Sequence, residues 1–222
     1  MEYYPVNLDI RDRLCLVVGG GGVGQRKSER LIRCGAMVHV VSLRATDALE
    51  RMAAGRQLTI SLRPFRESDL DGVFLVFCTT NDPDTNRRVS EAADNRGLLC
   101  NVADMPDRSR FILPSVVQRG DLILTVSTSG KSPAVASSLR NELEGRFGEE
   151  YAQLLSLMGA IRQQLLGQGH DPDGHRELFR QLLDGGLLKR ITVGDRADIE
   201  AYLGRVLGAG FDHRALLDAL DV

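Results

Sequence analysis

Short apolar runs of strand length alternate with amphipathic stretches through the first half of this chain. The runs are Leu14–Val18, Met37–Ser42, Leu58–Leu62, Val73–Thr79, Leu98–Val102 and Leu122–Val126. Apolar residues recur at helical spacing between several of these runs, at Gln25–Cys34, Thr46–Ala54 and Thr85–Asn95. Strands that alternate with helices indicate βαβ units. We therefore predict an α/β fold with a doubly wound, mostly parallel sheet.

The pattern changes after Ser132, where the strand-like runs stop. Ser132 followed by Pro133 is typical of a helix N-cap and a first helical position. Helical spacing then predicts helices at Ala134–Phe147, Tyr151–Leu166, Arg176–Leu183, Arg196–Leu207 and His213–Leu220. Glycine-rich breaks are expected at 167–172 and 185–186. We expect an α/β domain over residues 1–113, a linking region over 114–147 and a small helical domain over 148–222.

Composition and charge narrow the classes of function. The chain has 222 residues, of which 43% are hydrophobic, so it can bury a full core. The formal net charge of −2, without a long run of one sign, argues against a nucleic-acid-binding face. The N-terminus lacks a charged segment followed by an apolar stretch, and no apolar run approaches the roughly 20 residues that cross a bilayer. We expect neither a nucleic-acid partner nor a membrane partner.

Cysteine and histidine spacing does not favour a resident metal. The four cysteines form no CxxC pair, which indicates buried free thiols in a reducing cytoplasm; they are Cys15, Cys34, Cys78 and Cys100. The histidines have no ligand spacing to one another or to cysteine; they are His39, His170, His175 and His213. We expect His39 in the core or an interface, a solvated loop around His170, and no metal site.

A glycine-rich turn carries the clearest chemistry. The sequence LVVGGGGVG at 16–24 contains GxGxxG at Gly19, Gly21 and Gly24, with a predicted strand before it and a helix after it. The first glycine permits a tight turn, the second lets the backbone approach a pyrophosphate, and the third lets the helix pack on the strand. The pyrophosphate would face the positive end of the helix. A dinucleotide site is predicted, and a structural turn without a ligand is the alternative.

The sequence lacks the acidic residue that usually distinguishes NAD from NADP. A carboxylate that bonds the ribose usually stands about 20 positions after the turn. The second predicted strand ends in VSLR at 41–44, and the nearest carboxylate is Asp47. Arg44 would suit a 2′-phosphate and hence NADP, or it is a solvated arginine that begins a loop. Both interpretations stay open on the residues alone.

Four segments resemble the precorrin-2 dehydrogenases that form the N-terminal part of sirohaem synthase. They are LCLVVGGGGVGQRK at 14–27, VFCTTNDPDTNRRVSEAA at 76–93, CNVADMPDRSRFILPS at 100–115 and VSTSGKSPAVASSLR at 126–140. The resemblance implies NAD-dependent oxidation of precorrin-2 to sirohydrochlorin. In some members it also implies insertion of iron to give sirohaem, with ferrous ion as co-substrate.

The same resemblance implies the architecture. It implies a Rossmann-type NAD-binding domain over 1–113, a dimerisation region over 114–147 and a helical C-terminal domain over 148–222, in a cytoplasmic homodimer. The long form of the family continues into a uroporphyrinogen methyltransferase. Because this chain ends at Val222, we expect either that this activity is absent or that its part of a longer protein has been removed.

The resemblance also assigns site residues. Gly22 and Val23 would contact the pyrophosphate, and Leu43 and Arg44 would lie beside the adenosine ribose. The nicotinamide end would be bordered by three residues at strand ends: Thr80, Asn101 and Val102. Asp104 matches the family's essential aspartate. Two departures are Gly24, where alanine is common in the family, and Thr128, where some members have serine.

The proposed reaction removes a hydride and a proton from a reduced tetrapyrrole. The nicotinamide accepts the hydride, and a carboxylate beside the substrate would accept the proton. Asp104 follows a strand that should end near the cofactor, which makes it the candidate general base. The alternative is structural, because aspartate before Met105-Pro106 is also typical of a turn.

The substrate carries several carboxylates, so basic groups are expected around it. Arg108, Arg110, Arg119 and Lys131 cluster in sequence near Asp104 and a polar loop. The candidate substrate-binding residues are Thr128, Ser129, Gly130, Lys131, Ser132 and Arg110. The helix after Pro133 would add N–H donors that suit an anion. Solvated surface charges are the alternative. We expect Asp104 and this loop to meet at one edge of the sheet.

Two rival functions share the glycine turn. An NAD(H)-sensing regulatory module would use the helical tail to contact a partner protein. A dehydrogenase for another small acid would share the fold, but no His–Asp or Lys–Tyr pair of the usual kind supports it. The segment 101–104 and the loop 128–133 favour the precorrin-2 dehydrogenase, because a sensor needs neither a carboxylate nor an anion pocket beside the nicotinamide.

Overall fold

The computed structural model describes residues 3–103, 105–168, 172–208 and 210–220. They fall into two compact units, residues 1–113 and residues 114–222. Each unit has its own hydrophobic core. The finer division of the second unit at residue 147 stays a prediction.

The first unit is built on a five-stranded parallel sheet in the order β3-β2-β1-β4-β5. The strands are β1 Leu14–Gly20, β2 Met37–Ala45, β3 Thr59–Leu62, β4 Leu75–Cys78 and β5 Leu99–Val102. The connecting α-helices are α1 Gly22–Arg33, α2 Asp47–Ala54 and α3 Pro83–Asp94. The chain reverses its direction of winding between β1 and β4, which is where open α/β sheets bind ligands. The predicted doubly wound fold is confirmed.

The central strand β1 explains why the sequence shows continuous apolar runs. Alternate residues of this strand enter cores on opposite faces of the sheet. Leu16 and Val18 join one buried cluster, and Cys15 and Val17 join the other. A parallel strand covered on both faces has no polar side, so its sequence does not alternate.

The second unit begins with an antiparallel hairpin, β6 Ser115–Arg119 and β7 Leu122–Val126. Helices follow at α4 Pro133–Arg146, α5 Glu150–Gly167, α6 Pro172–Asp184, α7 Leu187–Val193, α8 Arg196–Leu207 and α9 His213–Asp218. Their core includes Leu157, Ile161 and Leu203, all fully buried. The predicted strand at 122–126 therefore belongs to this hairpin and not to the parallel sheet.

Two elements of the second unit were not predicted from the sequence. One is β6, although Gly120-Asp121 between two strand-like segments is a recognised hairpin signal. The other is α7, a seven-residue helix that begins after Gly186 and ends before Gly194, both in the left-handed region. It is too short to show a clear helical period. The break predicted at 167–172 lies partly outside the described residues.

The cysteines differ in exposure. Cys15, Cys78 and Cys100 are buried free thiols as predicted, and the Sγ atoms of Cys78 and Cys100 lie 3.6 Å apart. Cys34 is exposed at the C-terminal end of α1, so the prediction is wrong for this residue. No described helix is long and apolar enough to cross a membrane.

Candidate nucleotide and substrate sites

Three glycines of the turn between β1 and α1 are required by packing. Gly19 has φ +120°, and a Cβ on it would lie 2.6 Å from the Thr79 hydroxyl oxygen. A Cβ on Gly20 would overlap the carbonyl oxygen of Arg44, and one on Gly24 would overlap that of Gly19. Because these neighbours are largely backbone, no rotamer change would relieve the overlap. The turn is therefore dictated by the strands beside it.

Gly21 and Gly22 are different, because they face open space. No described atom lies within 4 Å of a Cβ built on Gly21, and only Arg26 comes that near for Gly22. Gly21 is the N-cap of α1, and no acidic residue occupies the first turn of that helix. The N–H groups of the first turn and the helix dipole thus face a space that suits an anion.

Arg26 adds a positive charge beside this space, and sequence reasoning missed it. Its Nη1 atom lies 3.8 Å from the position that a Cβ on Gly22 would take. The signal in the sequence is its spacing. A residue four positions after Gly22 on a helix lies on the same face, one turn further along.

Ser42 lies near the position where a ribose-binding acid is usual, but its side chain bonds the glycine turn. Its Oγ accepts a hydrogen bond of 2.9 Å from the backbone N–H of Gly20. The strand continues to Ala45, which lies opposite Gly20 in the register of β1 and β2. Leu43 and Arg44 are exposed beside the turn. The structure therefore places the predicted ribose-side residues next to the glycine turn, without a carboxylate on that stretch of strand.

Thr79 and Thr80 follow β4 and make different bonds. The Thr79 hydroxyl lies 3.1 Å from the carbonyl oxygens of both Val18 and Gly19 and is buried. The Thr80 hydroxyl donates to Asn86 Oδ1 at 2.7 Å, and the amide of Asn86 donates back to the carbonyl of Thr80 at 2.9 Å. Thr80 is thereby tied to α3. That helix is capped by Asp82, whose pKa is lowered chiefly by a hydrogen bond from the Thr85 hydroxyl.

The end of β5 lies beside the end of β4, because Cys78 pairs with Val102. Val102 is buried, and the side-chain amide of Asn101 donates to the carbonyl of Phe111 at 2.9 Å. The structure thus brings Thr80, Asn101 and Val102 to the same sheet edge as the glycine turn. Asp104 lies outside the described residues, and its role stays a prediction.

The predicted basic group is divided between the two units, and most of it is paired. Arg110 contacts Asp94 at 2.8 Å, and this bond raises the pKa of Arg110. Arg108 lies 3.6 Å from Glu91, and Arg119 lies 3.4 Å from Glu149. Lys131 is exposed and makes no ion pair with a described carboxylate.

The loop between β7 and α4 is closed by its own hydrogen bonds. The Thr128 hydroxyl accepts from the N–H of Ser132 at 3.2 Å and donates to its carbonyl at 3.1 Å. Ser129 and Gly130 both have positive φ, and the Ser132 hydroxyl caps α4 at the N–H of Val135. This loop follows an antiparallel hairpin of the second unit. β7 is not a strand of the parallel sheet, and the expectation that this loop and Asp104 meet at one edge of that sheet stays a prediction.

Comparison with known proteins extends over both units. Residues 6–115 match the family described as "Putative NAD(P)-binding", and residues 119–146 match the central domain of sirohaem biosynthesis proteins. The SirC precorrin-2 dehydrogenase superposes with a TM-score of 0.79 and 25% identity, over 93% of this chain and all of that chain.

Sirohaem synthases from Salmonella typhimurium and Salmonella dublin are each 33% identical to this chain over 215 residues. That alignment covers 96% of this chain and 47% of theirs. Over nearly its whole length, the chain is similar to a precorrin-2 dehydrogenase and to the N-terminal half of sirohaem synthases. It spans about half the length of these curated relatives, and its first unit is an NAD(P)-binding domain.

The described histidines lie on β2 of the first unit and on α6 and α9 of the second. The ring nitrogens of His39 contact Thr59 Oγ1 at 2.6 Å and Ser61 Oγ at 3.2 Å, and burial lowers the pKa of His39. His175 is buried in the helical unit, and His170 lies outside the described residues. Within the described part of the chain, no group of three or more histidine, cysteine or acidic residues is placed to hold a metal ion.

Proposed function

We propose that this chain oxidises precorrin-2 to sirohydrochlorin with NAD as the hydride acceptor. The observation that carries the proposal is the match to SirC, because it extends over nearly the whole chain and includes both units. A likeness restricted to the first unit would support only a nucleotide-binding domain.

The first unit would bind and orient the dinucleotide. The open space at Gly21 and Gly22 fits a pyrophosphate, with the N–H groups of the first turn of α1 and the guanidinium of Arg26 around it. Ser42 would hold the turn in place through Gly20, and Leu43 and Arg44 would border the adenosine ribose. When bound, the nicotinamide supplies the acceptor for the hydride. Thr80, Asn101 and Val102 would border that ring at the ends of β4 and β5.

The substrate would lose a hydride to the nicotinamide and a proton to the carboxylate of Asp104. Its own carboxylates would be held by Arg110 and by the loop from Thr128 to Ser132. Lys131 is the strongest candidate within that loop, because its charge is not neutralised by a described acid. If the chain also chelates, ferrous ion would enter as a substrate after the oxidation.

The proposed setting is a cytoplasmic homodimer. Apolar side chains are exposed on the hairpin and on α4, where a partner subunit would cover them: Val116, Ile123, Val135 and Leu139. Light scattering of the purified chain tests the dimer, and a monomer at micromolar concentration would contradict it.

An anaerobic assay tests the reaction. The protein is mixed with precorrin-2 and either NAD or NADP, and sirohydrochlorin is followed by its absorbance. We expect turnover with NAD, and the ratio of the two rates decides the role of Arg44. No turnover with either nucleotide would contradict the proposed function. Ferrous or cobalt ion added after oxidation, compared with the rate without protein, tests chelation.

Asp104→Ala tests the proposed base. We expect turnover to fall at least about 100-fold, because general-base catalysis contributes that much, while the affinity for NADH is unchanged. The matched control is Asp107→Ala, which removes an exposed carboxylate from the same loop. Undiminished turnover in Asp104→Ala would remove that residue from the mechanism.

A further inference from the structure

The chain that leaves β5 folds back and runs along it. The N–H of Arg110 donates to the carbonyl of Cys100 at 2.8 Å, and the amide of Asn101 donates to the carbonyl of Phe111. The ring of Phe111 packs edge-on against Phe77 in the core, with the ring centroids 5.6 Å apart. Val102 and Ser109 thereby lie side by side at the two ends of the connecting loop.

The hydroxyl of Ser109 joins the two sides of this loop. It accepts a hydrogen bond of 2.9 Å from the N–H of Val102 and lies 3.0 Å from the carbonyl oxygen of Met105. A serine hydroxyl has one proton, so the same group can accept from Val102 and donate to Met105. The carbonyl of Val102, at 3.3 Å, is the weaker second acceptor.

The chain neighbours of position 104 are held by further contacts. The N–H of Ala103 donates to the carbonyl of Cys78 at the end of β4, at 2.9 Å. The N–H of Met105 donates to the carbonyl of Val102, and its side chain packs against the core beneath the sheet. The Ser109 hydroxyl connects Val102, at the end of the strand before position 104, with the backbone of Met105 directly after it.

We propose that Ser109 is a positioning residue for the carboxylate of Asp104 in the oxidation of precorrin-2. The inference rests on the proposed function and on the role proposed there for Asp104. A carboxylate that accepts a proton must lie within hydrogen-bond reach of it. A displacement of about 1 Å can cost about 100-fold in rate, so a bond that fixes the chain on both sides of the residue affects catalysis.

The kinetic test compares Ser109→Ala with Ser109→Thr. Ser109→Ala removes the bridge, and we expect kcat to fall about tenfold while KM for NAD stays within about twofold. Ser109→Thr keeps the hydroxyl, and its extended backbone suits a β-branched residue, so it should restore kcat. The matched control is Ser90→Ala. Ser90 is a buried serine of the same unit whose hydroxyl donates only within α3, and we expect no change in kcat for its variant.

An independent readout follows the bridge without turnover. Hydrogen exchange should become faster at Val102 in Ser109→Ala, because its N–H loses the hydroxyl as acceptor, and remain unchanged in β1. Unchanged exchange at the Val102 amide would overturn the bridge. Faster exchange with normal kcat would overturn the positioning role alone. A wild-type chain without turnover would overturn the proposed function and this role with it, so the two failures are distinguishable.

Discussion

Two turns of this molecule lead from a strand into a helix, and they are built in different ways. The turn at residues 19–24 is held by its neighbours, because Thr79 leaves no room for a side chain at Gly19, and Arg44 and Ser42 leave none at Gly20. Residues 128–132 are held by bonds within the loop, from Thr128 to Ser132. The first lies in the centre of a parallel sheet and the second at the end of a two-stranded hairpin.

The difference predicts how each turn responds to substitution. Packing against backbone cannot adapt, so a methyl group added at Gly19, Gly20 or Gly24 should affect the fold itself. Local side-chain hydrogen bonds contribute little to global stability, so changes in the second loop should affect ligand affinity more than folding. Substitutions in the two turns test this difference.

The largest effect is expected for Gly20→Ala. The new Cβ would overlap the carbonyl of Arg44 and crowd Ser42, so the strands must separate. We expect the free energy of unfolding of the first unit to fall by about 3 kcal/mol, measured by denaturant titration.

Gly21→Ala is the matched control for Gly20→Ala, because its Cβ would enter open space. Stability should be nearly unchanged, whereas affinity for NADH should fall at least about tenfold if the pyrophosphate occupies that space. Equal stability of the two variants would contradict the packing argument. Wild-type affinity in Gly21→Ala would contradict the proposed position of the nucleotide.

A smaller effect is expected for Lys131→Ala. Removal of this exposed charge should raise KM for precorrin-2 about tenfold, because a hydrogen bond to a charged group is worth about 1.5–3 kcal/mol. KM for NAD should not change. Lys189→Ala removes an equally exposed lysine from the helical unit and serves as the control. A parallel rise of both KM values would place Lys131 outside the substrate site.

The smallest effect is expected for Thr128→Val. This change keeps the shape of the side chain and removes the hydroxyl that closes the loop. The free energy of unfolding should fall by no more than about 1 kcal/mol, since the N–H of Ser132 can donate its hydrogen bond to water instead. Thr128→Ser should behave as wild type. A loss as large as that of Gly20→Ala would mean that the two turns are not built differently.

The fold of the first unit can be predicted well from the sequence. Its parallel sheet is buried on both faces, and each strand therefore appears as a continuous apolar run. Leu14–Val18 is recognisable as a strand, and the glycines after it mark the turn. The sequence does not show why position 20 must be glycine, because the requirement comes from the carbonyl of Arg44 on the neighbouring strand. The same holds for Ser42, whose hydroxyl is the acceptor for that glycine.

The second unit and the charged residues are harder to predict. The strand Ser115–Arg119 has only two apolar residues, Val116 and Val117, and one of these is exposed. The sequence suggests that Arg110 is free to bind an anion. In the structure it pairs with Asp94, at the end of the preceding helix α3. Ion pairs between distant segments follow from the tertiary arrangement, which local periodicity does not contain.

The exposure of Cys34 has a practical consequence for measuring these affinities. The chain has no tryptophan, so its intrinsic fluorescence is a weak reporter. Cys34 is the only exposed cysteine, whereas burial raises the pKa of Cys15 to about 11 and keeps its reactive thiolate scarce. A maleimide dye would therefore label the wild-type chain at one site. That site lies at the C-terminal end of α1, about 18 Å from the first turn of this helix. Energy transfer from NADH bound there to the dye would report occupancy of the nucleotide site directly.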